Sequence, residues 1–139
     1  MNTKQNYIYL FSKHAVFHAL NNPKRQVFTL YCKDVDKHKE LVKVAKLRGC
    51  EVRQSNLGDL QKYLPDNCKH QGVVLKAQRL QPLLLKDFLN RRKFAEKVAI
   101  LDKITDPHNV GAIYRSAAAF GIDAIITTKN NAPCESATI

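Results

Sequence analysis

One arginine, Arg115, stands in a stretch otherwise built from glycine, alanine and apolar residues, "TDPHNVGAIYRSAAAFG" over 105–121. A guanidinium presents five donors in a rigid fork, which suits the oxygens of a phosphate or a carboxylate. On a wheel of about 100° per residue, Gly111, Ala112, Ala118 and Ala119 surround the arginine. Val110, Ile113, Tyr114, Ala117 and Phe120 fall on the other side. The apolar side reads as the face packed on a sheet. The arginine side is stripped to backbone and methyl groups, so a ligand can come close. Asn109 reads as the cap that opens the helix, whose first N–H groups favour an anion. His108 reads as a loop residue, with an imidazole that is also a candidate general base. A lone arginine on an outer helix face also fits plain solvation, and small residues also mark helix packing. Both readings stand on these residues alone.

The surrounding elements follow from periodicity and punctuation. Ser12 caps a helix with Ala15, Val16, Ala19 and Leu20 at helical spacing, stopped by Asn21-Asn22-Pro23. A strand over 26–32 follows, then a helix with an apolar stripe of Leu41, Val44, Ala45 and Leu47 and with Gly49 as its terminator. A strand over 50–54, a short helix over 56–64 capped by Asn56, and a strand over 71–77 complete the first part. Residues 79–96 break the rhythm with Pro82, a leucine run and Arg91-Arg92-Lys93, and read as a linker with a short helix. Strand 97–102, helix 109–120, Gly121 and strand 122–128 then make a βαβ unit. The expected class is α/β: a small αβ sandwich with a partly parallel sheet over 1–78, a linker over 79–96 and an incomplete second domain over 97–139.

Composition narrows the partner. Lys and Arg number 23 against 12 Asp and Glu, a net charge of +11, which points to a polyanion, nucleic acid before an acidic membrane. Lys33, Lys37, Lys39, Lys43, Lys46 and Arg48 stud the second helix and its entry, and Lys76, Arg79, Arg91, Arg92 and Lys93 flank the linker. Tyr7, Tyr9, Phe11, Phe17 and Phe28 could stack on bases, although core packing explains most of them. The four cysteines, Cys32, Cys50, Cys68 and Cys134, show no C-x-x-C pair, so no metal site is expected and reduced thiols fit a cytoplasmic protein. A nucleotide-binding α/β protein would show G-x-G-x-x-G or a P-loop, and neither occurs.

Residues 101–127, "LDKITDPHNVGAIYRSAAAFGIDAIIT", resemble the first motif of the SpoU (TrmH-like) family of RNA ribose 2′-O-methyltransferases, in the SPOUT superfamily. "SKHAVFHAL" and "HQGVVLKA" are similar to the start and end of that family's ribosomal-protein-like substrate-binding domain. A glycine is usual in the family where Ser12 stands. The resemblance implies methylation of rRNA or tRNA, most of all of a large-subunit rRNA guanosine, with S-adenosylmethionine as donor. It implies that Asn109 fixes the active-site loop and that Arg115 contacts the RNA phosphate and helps activate the 2′-hydroxyl. Lys13, His14, Lys37, Lys43, Lys46, Arg91 and Arg92 are the RNA-contact candidates, and a homodimer is implied for a full-length member. The family's donor site is a C-terminal trefoil knot made from a glycine-rich loop and a Ser-Leu-Asn segment, and neither is found in these 139 residues. The chain is therefore expected to be a fragment or a truncated gene product, inactive alone and unable to hold the donor. The alternative is a non-catalytic RNA-binding module.

Overall fold

The computed structural model describes residues 6–66, 68–91 and 97–128. The chain divides into two compact units between Leu80 and Gln81. In the first, β1 (Tyr7–Phe11), α1 (Lys13–Asn21), β2 (Val27–Cys32), α2 (Lys39–Leu47), β3 (Glu51–Gln54), α3 (Leu57–Gln61) and β4 (Val73–Gln78) follow in order. The sheet order is β1-β4-β2-β3. β4 is antiparallel to both neighbours, and β2 and β3 are parallel.

Side chains alternate across each strand, so the sheet feeds two cores. Ile8, Leu10, Leu30, Cys32, Val73, Leu75 and Ala77 pack with Val16, Ala19 and Leu20 of α1 and Leu41, Val42 and Ala45 of α2. On the other face Tyr31 and Val74 pack with Leu60 of α3, joined by Tyr9, Phe11 and Leu64. The strand β1 was not anticipated. Its run "YIYLF" is apolar or aromatic at every position, so residue type does not alternate, although burial does: Ile8 and Leu10 are buried, and Tyr7, Tyr9 and Phe11 are partly exposed. Between Val27 and Thr29 the register with β4 shifts, a bulge that lets Val27 and Leu30 enter the same core.

The second helix departs from its expected stripe. It begins at Lys39, after a turn, so Val42 is buried in place of Leu47, which is 78% exposed. Gly49, at φ +67, ends it, and the Cys50 amide donates to the Ala45 carbonyl at 2.9 Å. Arg48, grouped by sequence with the exposed basic residues, instead clamps the end of α1. Its guanidinium donates to the carbonyls of Leu20 (2.7 Å), Asn22 (3.0 Å) and Arg25 (2.7 Å). A cation on the last carbonyls of a helix also complements its dipole.

The second unit holds α4 (Leu85–Arg91), β5 (Val98–Leu101), α5 (Pro107–Ala119) and β6 (Ala124–Thr127). β5 and β6 are parallel and joined through α5, the expected βαβ unit. Among its described residues Leu101, Val110, Gly111 and Ala117 are buried, while Ile100 is 74% exposed and Phe120 76%.

Ser12 connects β1 to α1 with φ +76 and ψ 148, a region that only glycine enters without strain. Its hydroxyl also accepts from the Ala15 amide at 3.4 Å. This backbone would suit a glycine, and the cap offsets part of the strain. Ser12→Ala loses the cap and keeps the strain, so it should destabilise by about 1 kcal/mol. Ser12→Gly loses the cap but relaxes a backbone strained by about 1 kcal/mol or more, and should match or exceed wild type. Urea denaturation of the three proteins checks the order; equal losses for alanine and glycine would contradict it.

Candidate functional site

The strand order brings four distant segments to one end of the first sheet. There β1 runs into Ser12, Lys13 and His14, β4 begins after Gln71 and Gly72, β2 runs into Lys33, and β3 runs into Gln54, Ser55 and Asn56. Hydrogen bonds tie the segments together. The Lys13 amide donates to the Gln71 side-chain oxygen at 2.9 Å, and the Lys33 amide donates to the Gly72 carbonyl at 2.9 Å. Gln71 (φ +54) and Gly72 (φ +79) turn the chain sharply there. A Cβ on Gly72 would meet Lys33 Cβ at 3.5 Å, so the two loops lie in contact.

Two depressions open at this end. One, of about 270 Å³, is lined by Lys13, Asp36, Lys37, His38, Lys39, Glu40 and Leu41. The other, a wider one of about 460 Å³, is lined by Lys33, Gln54, Ser55 and Asn56. Lys13 and Lys37, 24 positions apart in sequence, thus share a cavity, and His14 is exposed beside them. Lys39, Lys43 and Lys46 continue the positive surface along the exposed stripe of α2. Lys39 is partly neutralised by Asp36 at 3.4 Å.

His38 was missed by sequence reasoning. It is buried between the lysines, with Nδ1 lacking a hydrogen-bond partner among the described residues. Burial first, then the charges of Lys37 and Lys13, hold its pKa below the ordinary imidazole value. A neutral histidine leaves the lysines as the cations of this cavity. The thiols of Cys32 and Cys50 are pushed up to about 11 by burial, which makes them core residues rather than nucleophiles.

In the second unit α5 carries Asn109 and Arg115, both exposed. The cap is Asp106, whose carboxylate accepts from the His108 amide at 2.9 Å, with Pro107 in the first turn; Asn109 is inside the helix. The Asp-Pro pair is itself a helix-start signature and outranks the asparagine. His108 therefore belongs to the helix rather than to the loop. Seven residues before Arg115, it returns to within about 20° of it around the axis, whereas Asn109 lies about 120° away. Ala112, Ala118 and Ala119 are exposed around Arg115 as expected, but Gly111 is buried, and Tyr114 and Phe120, both expected on the packed side, are exposed. Phe120 lies past the last helical turn, where the wheel no longer applies. Arg115 makes no hydrogen bond or ion pair with another described residue. Arg91 is the last residue of α4, while Arg92, Lys93 and Cys134 lie outside the described residues.

Residues 9–83 match the family model for RNA 2′-O ribose methyltransferase substrate binding, and residues 96–138 match that of the SpoU rRNA Methylase family. A 23S rRNA (guanosine-2′-O-)-methyltransferase RlmB of Coxiella burnetii is 33% identical over 129 residues, covering 88% of this chain and 51% of the relative. An uncharacterized tRNA/rRNA methyltransferase of Borreliella burgdorferi is 33% identical over 119 residues, covering 79% and 52%. The chain thus spans about half the length of the curated relatives it matches. The fold is similar to that of an rRNA methyltransferase from Sinorhizobium meliloti, at TM-score 0.70 and 23% identity over 96% of this chain and 49% of that one. It is also similar to the SpoU methyltransferase AviRb from Streptomyces viridochromogenes, solved with the cofactor AdoMet, at TM-score 0.64 and 22% identity over 96% and 49%. Among the described residues no helix is long and apolar enough to cross a membrane.

The buried neutral His38 has a measurable consequence. Its folded pKa lies below its unfolded value, so the unfolded chain binds more protons and stability falls as pH drops through the imidazole range. Between about pH 7.5 and about pH 5.5, a His38→Gln variant should lose less of its urea midpoint than wild type. Parallel losses in the two proteins would show that His38 titrates freely.

Proposed function

The chain belongs to the SpoU family, and from that premise we propose that it acts in 2′-O-methylation of ribose in structured RNA. Its first unit would grip the RNA and its second would supply catalytic residues. The observation that carries the reading is the convergence of Lys13, Lys33 and Lys37 on one end of the sheet, continued by Lys43 and Lys46 along α2. Phosphate oxygens would neutralise these lysines, and His14 adds a donor beside them. By this assignment residues 1–78 bind RNA, 79–96 connect, with Arg91 and Arg92 as further contacts, and 97–139 belong to the methyltransferase domain. The RlmB relatives support a guanosine of large-subunit rRNA as the target, and action on rRNA would place the protein in the cytoplasm. The family supports a homodimer for the full-length enzyme.

The chemistry asks for a ribose 2′-hydroxyl that is deprotonated and in line with the methyl donor. S-adenosylmethionine is the donor this reading requires. The described residues of the βαβ unit, α5 with β5 and β6 and four buried positions, form a single wall and do not enclose a molecule of that size. What they offer is a site for the acceptor. Arg115 would fork onto the phosphate next to the target ribose, with Ala112, Ala118 and Ala119 leaving room for the sugar–phosphate backbone. His108, on the same side of α5, lies where it could donate to a neighbouring phosphate oxygen. Asn109, 120° around the helix, would act on the adjoining loop rather than beside Arg115. A non-catalytic RNA-binding module is the second reading.

Two measurements test these assignments. Binding of structured RNA should weaken steeply with salt, and replacing both Lys13 and Lys37 by glutamine should lower the slope of log K against log[salt] by about 1.5. An unchanged slope would move the RNA away from this end of the sheet. In an active enzyme carrying this segment, Arg115→Ala should cut methyl transfer roughly 100-fold without changing the melting temperature. Arg115→Lys should recover little, because a point charge does not reproduce the fork. Near-normal transfer in either variant would make Arg115 a solvated surface residue, and absence of transfer in the parent enzyme would favour the binding module.

A further inference from the structure

Four of the five tyrosines of the chain meet on one face of the first sheet, the face turned away from α1 and α2. The Tyr7 and Tyr9 rings meet edge to face at 5.7 Å. Tyr63, just after α3, stacks on Tyr9 at 4.7 Å and on Tyr31 at 5.1 Å. The ladder thus runs from the outer strand β1 across β4 to β2. α3 and Leu64 cover one half of this face, over Phe11, Val74 and Tyr31. The other half is a row of Tyr9, Lys76, Thr29 and Glu51 in register, bordered by Tyr7 and Gln78. Among the described residues of this unit no helix packs there, and Tyr7, Tyr9 and Lys76 remain partly exposed, with Tyr63 38% exposed.

The charges on this half are arranged for an anion. The Lys76 ammonium lies over the Tyr7 ring, 4.2 Å from its centroid. The one carboxylate in the row, Glu51, is tied to Arg53 at 2.8 Å and to the Thr29 hydroxyl at 3.4 Å. Burial, then the neighbouring tyrosines, pushes the Tyr9 phenol up to about 12. A surface that closed a core and nothing more would not need a cation resting on an aromatic face.

We propose that this half of the sheet is a second RNA contact, on which an unpaired base stacks at Tyr7 while Lys76 takes a phosphate. The proposal rests on the RNA-binding reading above and adds to it a single-stranded element of the substrate. The ammonium now over Tyr7 occupies the position a base would take. When the base arrives, the flexible lysine swings to the phosphate that accompanies it, so its cation–π contact is exchanged for an ion pair. The basic end of the sheet grips the backbone of structured RNA by shape and charge, whereas this face selects RNA with a splayed-out base.

The chain has no tryptophan, so tyrosine emission reports the face directly. In a Tyr114→Phe background, every remaining tyrosine belongs to the cluster. A short unstructured oligoribonucleotide should quench this emission, and a fully paired duplex should not. Tyr7→Leu should weaken binding of the oligonucleotide roughly 10-fold, with Tyr7→Phe near wild type, while Lys76→Met should lower its salt slope by about one. Circular dichroism of each variant confirms that the sheet is intact. Oligonucleotide binding without quenching, or with undiminished affinity in Tyr7→Leu, overturns the stacking proposal and leaves the lysine-rich end untouched. A dimer that Tyr7→Leu dissolves would assign the face to a second copy and overturn it too. No binding of duplex or single strand under any salt would sink the RNA reading as a whole.

Discussion

β4, the last strand of the first unit in sequence, lies between β1 and β2, and the rest of the unit depends on its burial. Val73, Val74, Leu75 and Ala77 are fully buried. Each large apolar side chain in such a place contributes about 1.5–3 kcal/mol. Val73, Leu75 and Ala77 point into the core with α1 and α2, and Val74 points into the smaller one with α3. Pulling this strand in fixes the loop before it, where Gln71 reaches the start of α1 and Gly72 touches Lys33. The lysines of the candidate RNA surface are thereby positioned by apolar burial elsewhere. They make few contacts of their own, so their charges can be altered with little effect on folding.

The second unit follows a different economy of surface. Its helix is well capped by Asp106 and Pro107, but among the described residues of the helix only Val110, Gly111 and Ala117 are buried. A parallel pair with one face open is rarely stable without further layers. The exposed Ile100 and Phe120 fit a unit whose apolar surface is completed by other parts of a larger domain. Arg115 is exposed on α5 among the small, exposed residues Ala112, Ala118 and Ala119.

Local features were legible in the sequence and the convergent ones were not. Helical spacing of Val16, Ala19 and Leu20, glycine at 49 and 121, and the βαβ rhythm after residue 97 all appear in the fold. β1 escaped because aromatic residues occupy its partly exposed face, so its residue types do not alternate between apolar and polar. The phase of α2 slipped because a turn precedes Lys39, which exchanged Leu47 for Val42. Asn109 was favoured as a cap over Asp106 because helix boundaries are the least determined part of a periodic pattern. The lysines were visible as charge, yet the meeting of Lys13 with Lys37 depends on a strand order set by long-range pairing. Arg48 could not be separated from them by type alone, since its role comes from three carbonyls at the end of another helix.

Ultraviolet cross-linking of the protein to a fragment of large-subunit rRNA, with nucleotide adducts located by mass spectrometry, tests the central claim most directly. The account predicts adducts in peptides spanning residues 12–14 and 33–46 and around Arg115, lost together when salt is raised. Adducts confined to the helical surface of Phe17 and His18, or none at any salt, would contradict it.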